Sequence, residues 1–144
     1  MCLTIDESLT KKGLKGKKIY PFGMYKVWKV LIKSKVLIKS NKHLQSPFYH
    51  CFWKKNKWNK SNRISKDITP NEVYNQYINL GIHVFLTRKE AREYKMSLLK
   101  QFSILSKNRI PIVFPVFVKK EDLVAVGKNK QAVFTKVFLP PKSI

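Results

Sequence analysis

Acidic residues are missing from most of the first half of this chain. Between Ser8 and Lys66 there are 17 Lys or Arg and no Asp or Glu. The remaining 13 basic residues follow Lys66 and are mixed with six acids. Cysteine is scarce as well: Cys2 and Cys51 stand without a CxxC or a paired spacing. That excludes a disulfide framework and fits a reducing, intracellular compartment, with the virion or host cytoplasm as settings. No apolar run approaches a membrane span, and the first residues lack a basic region followed by a long apolar one, so neither a span nor a signal peptide is read. With three His and two Cys, a zinc site would need distant ligands. His50 and Cys51 are adjacent, and in a strand they point to opposite faces. Walker A, GxGxxG, HExxH and serine-elbow patterns are absent. No metal site is expected.

What is present is charge and apolar mass. The net charge is +22, and 44% of residues are hydrophobic, enough for a packed core in one domain of 144 residues. Such a field attracts polyanions, nucleic acid first and an anionic membrane surface second. Only four of the 30 basic residues are Arg. Base-specific readout favours bidentate Arg contacts, so backbone contact is the safer expectation.

Residues 1–24 read as a mobile basic arm. Lys11, Lys12, Lys15, Lys17 and Lys18, interleaved with Gly13 and Gly16, are not expected to pack. Residues 20–23 (Tyr-Pro-Phe-Gly) read as a turn leading into a single α+β domain over 25–144. Residues 25–32 alternate as a strand, with Tyr25, Val27 and Leu31 on one face and Lys29 interrupting it. Lys33 and Ser34 read as a turn into a second strand at 35–39, and residues 40–43 as a loop. A further strand is expected over 48–53, followed by a polar basic loop to Lys66. Thr69 and Glu72 have capping-box spacing with Pro70 at the first helical position, so a short helix is expected near 70–78.

Gly81 then introduces a nearly all-apolar strand, Ile82, His83, Val84, Phe85, Leu86. The glycine signals a bend or a close backbone approach. Thr87 and Glu90 repeat the capping-box spacing. Ala91, Tyr94, Leu98, Phe102 and Leu105 form one apolar stripe, which predicts a main helix at about 88–105. Residues 110–118 form the most apolar strand; Pro111 and Pro115 share parity, leaving the other edge free to pair. Residues 123–127 read as either a helical turn with a glycine stop or a short strand, with the turn preferred, and 131–139 as the last strand. The expected architecture is a mixed or antiparallel sheet of five or six strands with the 88–105 helix on one face.

Lysines neutralise phosphates and aromatic faces stack on unpaired bases. The candidate nucleic-acid contacts are therefore the lysines at 11, 12, 15, 17, 18, 26, 29, 54, 55, 57 and 60, with Trp58 and Arg63. His83, alone in an apolar strand, is an acid–base candidate only where its face opens into a cleft. Cys2 reads as a small inert thiol, and Glu121 and Asp122 as solvated carboxylates.

Residues 81–85 with Arg88-Lys89-Glu90-Ala91, and residues 132–139, resemble segments of a small family of uncharacterised phage and large-virus proteins, over residues 80–139. The same strand and early Glu-Ala helix are more distantly similar to ADP-ribosyltransferase-like folds. That similarity implies a nicotinamide pocket beside His83, NAD as cofactor, Gln131 near the catalytic glutamate position, and Tyr25 on the first strand. This chain carries Gln where that pattern has Glu, and Tyr25 where it has Arg or His. The leading reading is a small, basic, viral nucleic-acid-binding protein without strong sequence preference. An enzyme or inactive relic of ADP-ribosyltransferase shape, and a virion structural or host-interaction protein, are the alternatives.

Overall fold

The computed structural model describes residues 7–34, 44–45, 52–60, 81–105, 109–127 and 130–141. In chain order the elements are α1 (Glu7–Lys12), β1 (Met24–Ser34), β2 (Leu44–Gln45), β3 (Phe52–Trp53), β4 (Lys57–Lys60), β5 (Ile82–Phe85), α2 (Arg88–Leu105), β6 (Arg109–Lys119), β7 (Leu123–Val126), β8 (Gln131–Phe134) and β9 (Lys136–Leu139). The fold is α+β and mostly strands, and among the described residues every strand pair is antiparallel. Seven strands follow the order β4-β9-β6-β1-β5-β8-β7, with β2 and β3 attached beside β1. Five or six strands were expected; the difference comes from β4 and β7, read from sequence as loop and helical turn, from the short β2, and from the division of the expected 131–139 strand into β8 and β9. The 35–39 strand, the 40–43 loop and the 70–78 helix lie outside the described residues.

The centre of the sheet is the pairing of β1 with β6 along all eleven residues of each, from Met24↔Lys119 to Ser34↔Arg109. Lys33 and Ser34 are therefore strand, not turn. Both prolines of β6 sit inside this ladder, opposite Ile32 and Trp28. Their missing donors fall on the other edge, and there β6 meets β9 only at Phe117↔Phe138.

The expected last strand breaks at Thr135. β8 pairs with β5 and β9 pairs with β6, yet one residue separates them. Phe134 and Lys136 are thus held within about 7 Å, two Cα steps, so the two flanks of the sheet must curl toward each other. Ala132 and Phe134 face the enclosed core, and so do Val137 and Leu139; the alternation slips by one residue at Thr135. An extra residue that reverses facing is how a bulge bends a strand. Thr135 N–H donates to Asp122 C=O at 2.9 Å, fixing the bend.

The core inside the curl takes Val27 and Leu31 from β1, Ile82 and Val84 from β5, Phe114, Val116 and Val118 from β6, and Phe134, Val137 and Leu139 from the bent strand. On the outer face α2 lays Ala91 and Leu98 over Val30, Ile32 and Phe85, with Trp28, Tyr94 and Val113 at the margin. The sequence stripe is right for Ala91, Tyr94 and Leu98; the side chains of Phe102 and Leu105 are outside the described set. The Thr87–Glu90 capping box does not form: Thr87 Oγ1 and Glu90 Oε2 are buried without a hydrogen-bond partner. The helix starts from Ala91 N–H to Thr87 C=O at 3.4 Å. Lys17 Nζ donates to Leu86 C=O just before it, within electrostatic reach of Glu90.

Residues 7–24 are not an arm apart from the domain. Leu14 is buried in the core, a gain of about 1.5–3 kcal/mol that outweighs the poor packing of its lysine and glycine neighbours. Thr10 Oγ1 accepts from Val126 N–H at 3.0 Å and donates to Val126 C=O at 3.3 Å. The hydroxyl takes the place of a ladder partner and blunts the edge of β7.

Gly81 is a close backbone approach, as its position implied. A Cβ there would overlap Val133 Cγ1 on β8. Gly81→Ala is expected to cost about 1–3 kcal/mol, read as a lower urea midpoint at unchanged slope. A variant within about 0.5 kcal/mol of wild type would contradict that packing.

Candidate nucleic-acid interface

Side chains alternate between faces along a strand, so the registers decide which residues share a surface. Val27 and Leu31 point inward, which turns Lys26, Trp28 and Val30 outward. Lys26 is paired with Phe117, Phe117 with Phe138, and Phe138 with Trp58. Four strands thus contribute one row on the outer face, away from the Val30–Val113 end that α2 covers. At one strand spacing per step the row spans about 14 Å. Phe117, Phe138 and Trp58 are each partly buried.

Cations crowd this row. Lys136 and Lys119 place Nζ 5.1 and 5.5 Å from the Trp58 ring centre. Trp58 packs on Phe138 at 5.5 Å between centroids. Tyr20 meets Phe117 edge-on at 5.4 Å, and Lys18 Nζ lies 5.0 Å from the Tyr20 ring. Beside the row, Lys26 Nζ is 4.9 Å and Arg88 Cζ 5.5 Å from the Trp28 ring. Lys60 is opposite Lys136 and completes the basic margin. Rings hold the ammonium groups by cation–π attraction, which leaves them poised for phosphate oxygens flanking a stacked base. Asp122, expected to be solvated, is partly buried nearby; burial raises its pKa, and Lys136 pulls it the other way.

Of the residues proposed from sequence, Lys18, Lys26, Trp58 and Lys60 come together here. Lys54 and Lys55 are exposed in the turn between β3 and β4, which Asn59 ties down by accepting from Lys54 N–H at 2.8 Å. Lys57 is exposed on the opposite parity of β4. Lys11, Lys12 and Lys15 are exposed on and after α1, which packs on β7. Lys17 is partly buried; burial and then Lys130 lower its pKa, with Glu90 opposing. Arg63 lies outside the described residues.

Lys29, expected among the nucleic-acid contacts, does not belong to this surface. It is 7% exposed and points into the core, with Nζ donating to His83 C=O at 2.8 Å and lying 5.7 Å from the buried Trp53 ring. β1 pairs with β5 only at Trp28↔Phe85 and with β2 from Ile32 on. Between the two the seam forks, and the Lys29 amine serves the carbonyl that the ladder leaves open. Its charge is structural, not part of the outer face.

His83, Gln131 and Tyr25 do not converge. His83 and Gln131 share a face on adjacent strands, at diagonal positions of the β5–β8 register. Tyr25 has the parity of Val27 and packs against the inner core, on the opposite face of the sheet. Burial first, and the Lys29 ammonium next, lower the His83 pKa to about 4, so the ring is neutral at physiological pH. Its Nδ1 is buried without a hydrogen-bond partner.

The sequence reading missed Phe117, Phe138, Lys119, Lys136, Tyr20, Trp28 and Arg88 as members of this surface. Five of these seven lie beyond Lys66, and the other two, Tyr20 and Trp28, meet residues that do. The available signal was parity: Lys136 with Phe138, and Phe117 with Lys119, are i, i+2 pairs on one strand face. Among the described residues no three His, Cys, Asp or Glu come together as a metal site, and no helix is long and apolar enough to cross a membrane. No family model, no curated protein and no solved structure matches this chain.

Proposed function

We propose that this protein binds single-stranded nucleic acid on the outer face of its sheet, through stacking and phosphate contacts rather than base-specific ones. The observation that carries the reading is the Lys26–Phe117–Phe138–Trp58 row with Lys18, Lys119 and Lys136 set against its rings. A sheet face with partly exposed aromatics accommodates two or three splayed bases, and a row of about 14 Å suits that number. A duplex hides its base faces and offers the rings nothing to stack on. The lysine-rich, arginine-poor composition favours backbone contact.

Fluorescence anisotropy of a labelled oligothymidylate, titrated across salt, tests this. Four or five lysine–phosphate contacts give log K a slope of about −3 against log salt. The matching duplex is bound more weakly. Binding that barely changes between low and moderate salt, or no binding at low salt, sinks the proposal.

A further inference from the structure

Among the described residues one aromatic side chain is almost wholly outside the packed fold. Phe22 is 89% exposed and adopts φ 65°, ψ 21°. The left-handed region disfavours a bulky side chain, and glycine or asparagine is the ordinary choice. Gly23, the next residue, is also at positive φ. The turn is held closed from below by Tyr20 N–H donating to Met24 C=O at 2.7 Å. A rigid turn therefore presents an apolar ring at its tip, with Ile19 63% exposed beside it and Pro21 exposed as well.

The position of the tip gives it a partner. Tyr20, at the base of the turn, stacks edge-on against Phe117 in the row. Lys18 leans on Tyr20, and Met24 is paired with Lys119, so a lysine flanks the turn on each side. The tip thus stands at the end of the basic aromatic face. Phe, Ile and Pro are residues that proteins drive between base steps. Strain at a residue exposed for no packing gain is the kind of outlier that marks a binding role.

We infer that Phe22 is a wedge that enters between adjacent bases of a nucleic acid lying on the outer face. This rests on the binding reading above. It adds that the protein unstacks its ligand at one step, at the Tyr20 end of the row.

An oligonucleotide carrying 2-aminopurine within a purine run, titrated with protein, reads the step directly. Wild type is expected to raise the 2-aminopurine emission by about twofold or more as a step is unstacked. Phe22→Ser abolishes the rise and weakens binding about fivefold to tenfold, the loss of one stacked base. Phe22→Gly relieves the backbone, so its Tm is equal to or about 2–4 °C above wild type while the emission rise is lost. An unchanged emission rise in both variants overturns the wedge but leaves the face intact, provided Trp58→Ala still weakens binding. Absence of any oligonucleotide binding overturns both. So does association with phosphatidylserine vesicles that Phe22→Ser removes while oligonucleotides fail to compete; the tip then belongs to an anionic membrane surface.

Discussion

Trp58→Ala combined with Lys119→Glu and Lys136→Glu lowers affinity for a single-stranded oligonucleotide by about 100-fold at low salt. Stacking on one ring is worth about 1–3 kcal/mol, and the two reversals turn phosphate contacts into repulsions. Both lysines lie within 5.5 Å of the Trp58 ring, so the three act as one patch and their effects will not add independently. The informative control is Lys11→Glu with Lys12→Glu. It changes the net charge as much as the two reversals at 119 and 136, but on α1. If long-range charge alone drives binding, the two pairs weaken it equally. If the row is the site, the α1 pair costs only a few-fold. Lys29→Met is a second control. It leaves the His83 carbonyl unserved and lowers stability by about 1–3 kcal/mol, with affinity unchanged in the folded protein.

Acidification from pH 6.5 to about 4 costs wild type about 2–3 kcal/mol of stability that His83→Gln does not lose. Burial and the Lys29 ammonium depress the His83 pKa from 6.5 to about 4 in the folded state. Between those values the unfolded chain binds a proton that the folded one refuses, so stability rises with pH through the window and falls as pH drops through it. Asp122 opposes this trend, because burial raises its pKa and the folded state holds a proton more readily than the unfolded one. Its carboxyl is partly buried, with Oδ2 enclosed, and the comparison of wild type with His83→Gln removes its contribution. Urea denaturation of both proteins at pH 7 and pH 4.5 is the measurement. Parallel losses would show that His83 is not the titrating group.

The parts of the fold that rest on local pattern are legible in the sequence. The alternation of residues 25–32, the apolar run before Lys119 and the Ala91–Leu98 stripe each report one element and one buried face. What is not legible depends on distant partners. Leu14 reads as part of a soluble arm until the curled sheet offers it a core. Residues 57–60 carry two lysines in four positions and become strand only because β9 supplies a ladder. Residues 123–126 satisfy a helical turn and a strand equally well, and pairing with β8 decides for the strand. The bend at Thr135 has no glycine or proline to announce it.

The candidate site follows the same division. The acid-free half was visible as charge, and Trp58 as a ring among lysines. The other rings of the row were hidden because register across β1, β6, β9 and β4 is a tertiary fact. Lys29 is the sharpest case. Its interruption of the Tyr25–Val27–Leu31 face was visible, and a charge on an apolar face signals a buried partner more often than a surface contact. The forked seam beside β5 supplies that partner.

The Trp58 row is the proposed place of binding, and the indole N–H resonances report on it directly. The chain has three tryptophans: Trp58 in the row, Trp28 beside it, and Trp53 buried in the core. In a nitrogen-15 titration with oligothymidylate, the Trp58 resonance is expected to move most, Trp28 less, and Trp53 hardly at all. Saturable binding that leaves Trp58 in place, with shifts confined to the amides of residues 7–18, would contradict the account.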